Sequence, residues 1–418
     1  MKSPPVTRRR LLQGLALAST TPVWLRYVEP ALGLIAPDEK VTQHLLVVFL
    51  RGGNDPLHTI APIGDPSFVK MRPNVGLRES DLFAMGNGYG LNKNLPTLFD
   101  FWQAGQLAVV QQVGATKATF SHTDATKQWE TGSLDNRFST GWLGRYLDAT
   151  TAHGPIRAAA FGDALPLSLT GAFDEAVTLE TLRNFDFVDA SLPDADARHA
   201  AVDQFASANA PVGSIRAQVM EAQRQMVAAV DPITKMAAAT IDGRTPTAAD
   251  NAAQMFAADL GTEVAFITLP TFDTHANQRS AHAASVAALE TVTKNFFATA
   301  AKLGVADSSA VVVFSEFGRR VYENRSEGTD HGDATDVLVI GPRVNGGMFG
   351  PKLDLTQLVN GNLPTKVDLR SIYASVLDGW FGTDPNPILS GSFPTLPLFR
   401  RVAGTPPAPI ATPAEATA

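Results

Sequence analysis

The chain has 418 residues, 44% of them hydrophobic, which is enough apolar material for one large core or two ordinary ones. Charged residues make up only 18%, with 33 Gly and 28 Pro, so a loop-rich globular protein is favoured over a helical bundle. The net charge is −7 and falls to about −11 without the first 33 residues, which excludes a basic nucleic-acid binder; with no cysteine, disulfides and thiolate metal sites are excluded too.

Residues 1–33 begin with "TRRRLL" after a short polar start, continue through an interrupted apolar stretch, and end in "ALG". The order of regions is that of an export signal of the twin-arginine type, carried by Arg8 and Arg9, and the stretch is too short to span a bilayer. The expected location is therefore periplasmic or extracellular, with the twin-arginine translocase as a transient partner and no integral membrane segment.

From residue 44 the apolar run "HLLVVFL" reads as a strand buried on both faces and stops at "RGGND". A helix is expected at 95–106, a strand at 107–115, and a helix beginning near Ser121, a good N-cap. Further elements follow: a helix at 141–150, a strand at 156–164, and Ala-rich helical segments at 196–232 and 248–260. Next come a strand at 263–270, a long helix at 275–304, strands at 308–318 and 336–342, and a helix at 368–382. Strands alternating with helices predict a mostly parallel sheet covered on both faces, in a single domain over 41–400. The Pro/Ala/Thr-rich 402–418 reads as a disordered tail.

Ligands of open parallel sheets bind beyond the C-terminal ends of the strands. The segments in those places carry Asn54, Asp55 and His58; Ser121, His122 and Asp124; Asp273 and His275; Glu316, Arg319 and Arg320; and Asp330 with His331. Six of the eight histidines fall in or beside these segments. Asp55 can equally shape a turn, Ser121 can be a plain helix cap, and His282 reads as a core or surface residue. Taken together, carboxylates and imidazoles without thiolates suit a divalent ion, Zn or Mn first, as one or two ions. No phosphate-loop or dinucleotide fingerprint is present.

"LLVVFLRGGNDPLHTIAP", "SHTDATKQWETG", "GWLGRYL", "FDTHANQ", "SEFGRR" and "GTDHG", in that order over about 44–385, resemble the motif series of the bacterial domain-of-unknown-function family 1501. That resemblance implies a three-layer αβα sandwich of the alkaline phosphatase-like kind and an alkaline phosphatase/sulfatase-like chemistry. Carried over position by position, it implies Asp55 (or Asn54), Asp273, His275, Glu316 and His331 as metal ligands, with Asp330 either a further ligand or a partner that orients one. Ser121 becomes the nucleophile, with His122 competing as a ligand, and Arg319 or Arg145 neutralises the substrate's oxygens. Phe317 stands in a slot where the superfamily has a ligand histidine. The implied function is an exported metal-dependent hydrolase of phosphate or sulfate esters, acting on a small-molecule or glycan ester. The alternative is a non-catalytic protein that binds a metal or an anionic glycan on the same scaffold.

Overall fold

The computed structural model describes residues 43–400, except 136, 151–153, 155, 173–175, 259 and all but scattered positions between 180 and 239. The export-signal segment, the tail and most of the helical segment expected at 196–232 lie outside the described residues. In chain order the elements are β1 (His44–Leu50), α1 (Pro56–Thr59), β2 (Ile60–Pro62), α2 (Pro66–Met71), β3 (Leu82–Gly86), β4 (Tyr89–Asn92) and α3 (Pro96–Gln103). Then come β5 (Leu107–Gly114), α4 (His122–Thr131), α5 (Trp142–Ala149), β6 (Ala158–Phe161), β7 (Ala176–Leu179) and α6 (Ala248–Ala257). The remainder are β8 (Val264–Leu269), α7 (Gln278–Lys302), β9 (Ser309–Phe314), β10 (Thr335–Ile340), β11 (Gly347–Phe349), β12 (Val367–Asp368), α8 (Leu369–Gly379) and α9 (Pro385–Leu389).

The main sheet runs β11-β5-β10-β9-β1-β8-β6-β7, with β12 also paired to β5. β1 sits centrally and pairs in parallel with both β8 and β9. Because successive side chains point to opposite faces, its alternate residues divide between two cores. Leu46, Val48 and Leu50 pack with α3, α6 and α7, whereas Leu45, Val47 and Phe49 pack with α4, α5, α8 and α9. A strand enclosed this way must be apolar on both sides, which is why it reads as a continuous run rather than an alternation. The result is the three-layer α/β arrangement anticipated from the sequence.

Two departures from the sequence expectation bear on the site. β10 pairs antiparallel with both β9 and β5, so its start, not its end, lies at the rim where the other strands finish. The loop carrying Asp330 and His331 reaches that rim by leading into the strand. Second, α7 begins at Gln278, not at 275, after Asn277 in the left-handed region (φ 47°). His275 is therefore a loop residue. A small antiparallel sheet, β2-β4-β3, also stands apart from the main one; its β3–β4 hairpin turns at Asn87-Gly88, with both φ positive.

The two glycines after β1 are required by close approach. A Cβ on Gly52 (φ +124°) would lie 2.4 Å from the Asp273 amide nitrogen, and one on Gly53 (φ +81°) 2.3 Å from the Phe317 ring. The turn that ends β1 is thus pressed against the loops that follow β8 and β9, and brings their side chains together.

Candidate metal centre

Three histidines, one opening a helix and two from loops, meet around one carboxylate. His122 is the first residue of α4, His275 and Asp273 follow β8, and His331 precedes β10. His122 Nε2 lies 3.4 Å from Asp273 Oδ2, and His275 Nε2 lies 3.0 Å from Asp273 Oδ1. His331 Nε2 is 3.3 Å from Asp273 Oδ1 and 3.0 Å from His275 Nε2.

The outward ring nitrogens fix the tautomers. His331 Nδ1 is 2.8 Å from the Phe120 carbonyl oxygen, which only accepts, so Nδ1 carries the proton. His122 Nδ1 donates to Glu316 Oε1 at 2.8 Å, and His275 Nδ1 faces Asp330 Oδ1 at 3.5 Å. In the neutral rings the Nε2 atoms of His122 and His331 then turn lone pairs toward Asp273. Acceptors facing acceptors at these distances repel unless a cation lies among them. Protonation is a poor remedy at His331. Burial lowers its pKa, the Phe120 hydrogen bond only partly offsets this, and Arg319 lowers it further. His122, Asp273 and His331 offer ligand atoms that all lie within 4.8 Å of one another. Imidazole Nε2 donors, each oriented by a carboxylate or carbonyl on Nδ1, and one carboxylate make a fitting donor set for a divalent transition ion.

Around this group the side chains named from sequence take different places. Glu316 is buried, and its Oε1 accepts from both His122 Nδ1 and the Gly52 amide; it orients a histidine instead of joining the cluster directly. Asp330 is exposed, held by Asn324 Nδ2 at 3.1 Å, and faces the back of His275. The Asn324 hydrogen bond lowers its pKa, burial raises it by less, and the neighbouring His275 lowers it further. Asp55 departs furthest from the expected ligand role. It is wholly buried, and its carboxylate accepts from Arg72 Nη1 and Nη2, Gln278 Nε2 and the Leu57 amide. Burial raises its pKa, but the Arg72 charge and hydrogen bonds outweigh that and bring it to about 2. With every lone pair directed into protein donors, Asp55 is a node of the scaffold. Asn54 likewise faces inward, bonding Thr59 and His282 Nε2.

Arg319 does not face a substrate. It is 1% exposed, and its guanidinium donates to the carbonyls of Gly52, Gly53, Phe272 and Thr329 and to Asp273 Oδ1. Those contacts tie the turn after β1 to the two loops that carry Asp273, His275 and His331, and fix the Asp273 carboxylate. Burial raises the Asp273 pKa, but the hydrogen bond and charge of Arg319 lower it more, keeping it ionised. Arg145 spends its donors on the carbonyls of Ile388, Thr140 and Thr131. Ser121 caps α4, its Oγ 3.4 Å from the Asp124 amide, and is exposed between two residues that touch the cluster, Phe120 and His122. Phe317 packs its buried ring 5.0 Å from His122 and 4.6 Å from His331, a wall in place of a ligand. His58 and His282 belong to the core, with rings 4.8 Å apart.

Sequence reasoning missed Arg72, Gln278, Asn360 and Asn362. Arg72 and Gln278 reach Asp55 from 17 and 223 positions away, and nothing local marks them. Asn360-Gly361, by contrast, is a turn dipeptide with both φ positive, a legible hairpin tip. It forms one wall of an open recess of about 430 Å³ beside His275 and His331, lined also by Phe120, Arg320 and Asp330.

A three-layer α/β sheet with a His/Asp donor cluster at its rim defines the class. The chain belongs to the family described as "Protein of unknown function (DUF1501)", whose profile matches residues 108–386. A search of curated proteins finds no match. Among solved structures, it is similar to Ps i-CgsB in complex with k-i-k-neocarrahexaose, at 11% identity, covering 85% of this chain and 73% of that one, with a TM-score of 0.36. A second similar structure is the PsFucS1 sulfatase from Pseudoalteromonas sp. (11% identity, 91% and 72% coverage, TM-score 0.37). A third is a protein in the alkaline phosphatase superfamily from Vibrio parahaemolyticus (11% identity, 84% and 73% coverage, TM-score 0.34).

Proposed function

We propose that this protein is an exported, metal-dependent hydrolase of phosphate or sulfate esters. The observation that carries the reading is the convergence of three imidazole Nε2 atoms on Asp273, each ring oriented from behind by an oxygen acceptor. His122, Asp273, His275 and His331 would hold one divalent ion, Zn or Mn, with Glu316 and Asp330 orienting two of the histidines. When bound, such an ion supplies Lewis-acid polarisation of an ester oxygen and lowers the pKa of a nearby hydroxyl. Ser121 is the proposed nucleophile. Its hydroxyl stands at the N-terminus of the ten-residue α4, where the free amides and helix dipole favour an anionic group. Arg319 acts through Asp273, whose carboxylate it holds in place. Among the described residues no helix is long and apolar enough to cross a membrane. Release by the twin-arginine route, on the strength of Arg8 and Arg9, completes the reading.

One observation favours a second reading. Ser121 already makes an ordinary N-cap contact with Asp124, as it would in a protein that binds a metal or an anionic glycan without cleaving it. The test is to purify the chain, measure bound metal by mass spectrometry, and assay aryl phosphates, phosphodiesters and aryl sulfates. Hydrolysis that needs the metal and falls at least a hundredfold in Ser121→Ala supports the first reading. Stoichiometric metal with no turnover of any ester class supports the second, and a metal-free protein after Zn or Mn loading sinks the first and leaves only the glycan-binding form of the second.

A further inference from the structure

The recess beside the cluster is built differently from the cluster itself. Its far wall is the Val359–Asn362 hairpin, paired to itself through Val359 and Asn362 and to the chain after β9 through the Val321 amide and the Gly361 carbonyl. Arg320 is exposed there and donates one Nη2 hydrogen bond to the Asn360 carbonyl. Asn362 is only 8% exposed, yet its amide oxygen has no hydrogen-bond partner. A buried, unpaired amide oxygen on the wall of an open recess calls for a donor from outside. Among the described residues, two of the five exposed large hydrophobic side chains are aromatics at this place. Phe120, 49% exposed, lines the recess, and Tyr322, 50% exposed, borders the hairpin at Gly361.

We propose that this recess is a subsite for a sugar ring of an anionic polysaccharide. Phe120 and Tyr322 offer apolar faces for the ring's C–H groups, Asn360, Asn362 and Asp330 hydrogen-bond its hydroxyls, and Arg320 pairs with its sulfate or carboxylate. The chemistry follows from the mixture: exposed aromatic rings beside planar polar groups suit a ligand with one apolar and one hydroxyl-rich aspect. Openness on one side lets a chain run past instead of ending there. Arg320 supplies the charge selection, since the chain as a whole is acidic and would repel a polyanion elsewhere. The inference rests on the ester-cleaving reading in naming the substrate of that site, but the binding itself is separable.

The experiment is native affinity electrophoresis of the metal-loaded full chain in gels containing dextran sulfate, neutral dextran or polystyrene sulfonate. Expected are retardation by dextran sulfate alone, an affinity lowered at least tenfold in Phe120→Ala and in Tyr322→Ala, and loss of retardation in Arg320→Gln. Far-ultraviolet circular dichroism confirms that these surface variants are folded. Equal retardation by polystyrene sulfonate, or retardation untouched by both aromatic substitutions, would overturn the proposal by showing charge attraction alone. The same preparations are assayed on aryl sulfate and aryl phosphate. Turnover without dextran sulfate retention removes the subsite and leaves the hydrolase; aromatic-dependent retention without turnover leaves the subsite and removes the hydrolase.

Discussion

Replacing Asp55 with alanine separates a scaffold role from a ligand role. The carboxylate and its partner Arg72 are both without side-chain exposure and lie 2.5 Å apart. Removing one member of a fully buried pair leaves the other charge desolvated without compensation, a loss on the order of 3–5 kcal/mol. The Leu57 amide at the start of α1 loses its cap as well, at about 1 kcal/mol. Against a typical native stability of about 5–15 kcal/mol, Asp55→Ala is expected to shift the urea midpoint strongly downward. Metal content per folded molecule should stay at the wild-type value. Because the single variant stands close to the folding limit, Asp55→Leu combined with Arg72→Met is the companion. It replaces the pair by apolar groups and should recover most of the loss. Tryptophan fluorescence in urea and metal analysis of the folded fraction are the two readings. Wild-type stability together with loss of the metal in Asp55→Ala would refute this reasoning and return Asp55 to the ligand set.

Other outcomes can be stated more briefly. Glu316→Gln keeps an oxygen for the His122 Nδ1 proton but removes the charge behind it, so metal affinity by chelator competition should fall by about 10–100-fold. The metal-free protein should lose stability in acid. Burial lowers the His58 pKa from 6.5 to about 4, more than the nearby Asp55 charge restores. The folded state therefore binds fewer protons than the unfolded one, and the stability present above about pH 6.5 is lost as pH falls toward 4, by about 3 kcal/mol when complete. Asp55, lowered to about 2, continues the same trend below pH 4; urea midpoints at pH 7.5, 6 and 5 follow the first phase. Gly53→Ala places a Cβ 2.3 Å from the Phe317 ring at φ +81° and should destabilise by about 1–3 kcal/mol, read in the same unfolding assay. Adding Zn or Mn at one hundred times its dissociation constant should stabilise the folded chain by about 2.7 kcal/mol, and a chelator should reverse this.

The sequence alone determined the layers of this fold and the loops that matter. Strands such as β1 and β9 are apolar at every position after their first residue because both faces are covered, and that burial is written into consecutive residues. Helix α4 is announced by its Ser121 cap and ended by Gly132 at φ +64°. The three cluster histidines were visible because each lies in a segment that follows a recognisable strand, opens a helix or leads into a strand.

Which polar side chains face the rim and which face inward was decided only by tertiary structure. Asp55 and Asp273 both follow strand ends, yet Arg72 and Gln278 claim the first and Arg319 holds the second open to His122, His275 and His331. Arg319 and Arg320 are adjacent, but one is spent on the backbone of three loops and the other is exposed in the recess. The direction of β10 settled the Asp330–His331 pair, because an antiparallel strand delivers the loop before it to the rim. These assignments depend on partners tens or hundreds of residues away, and no local propensity, cap or periodicity encodes such pairings.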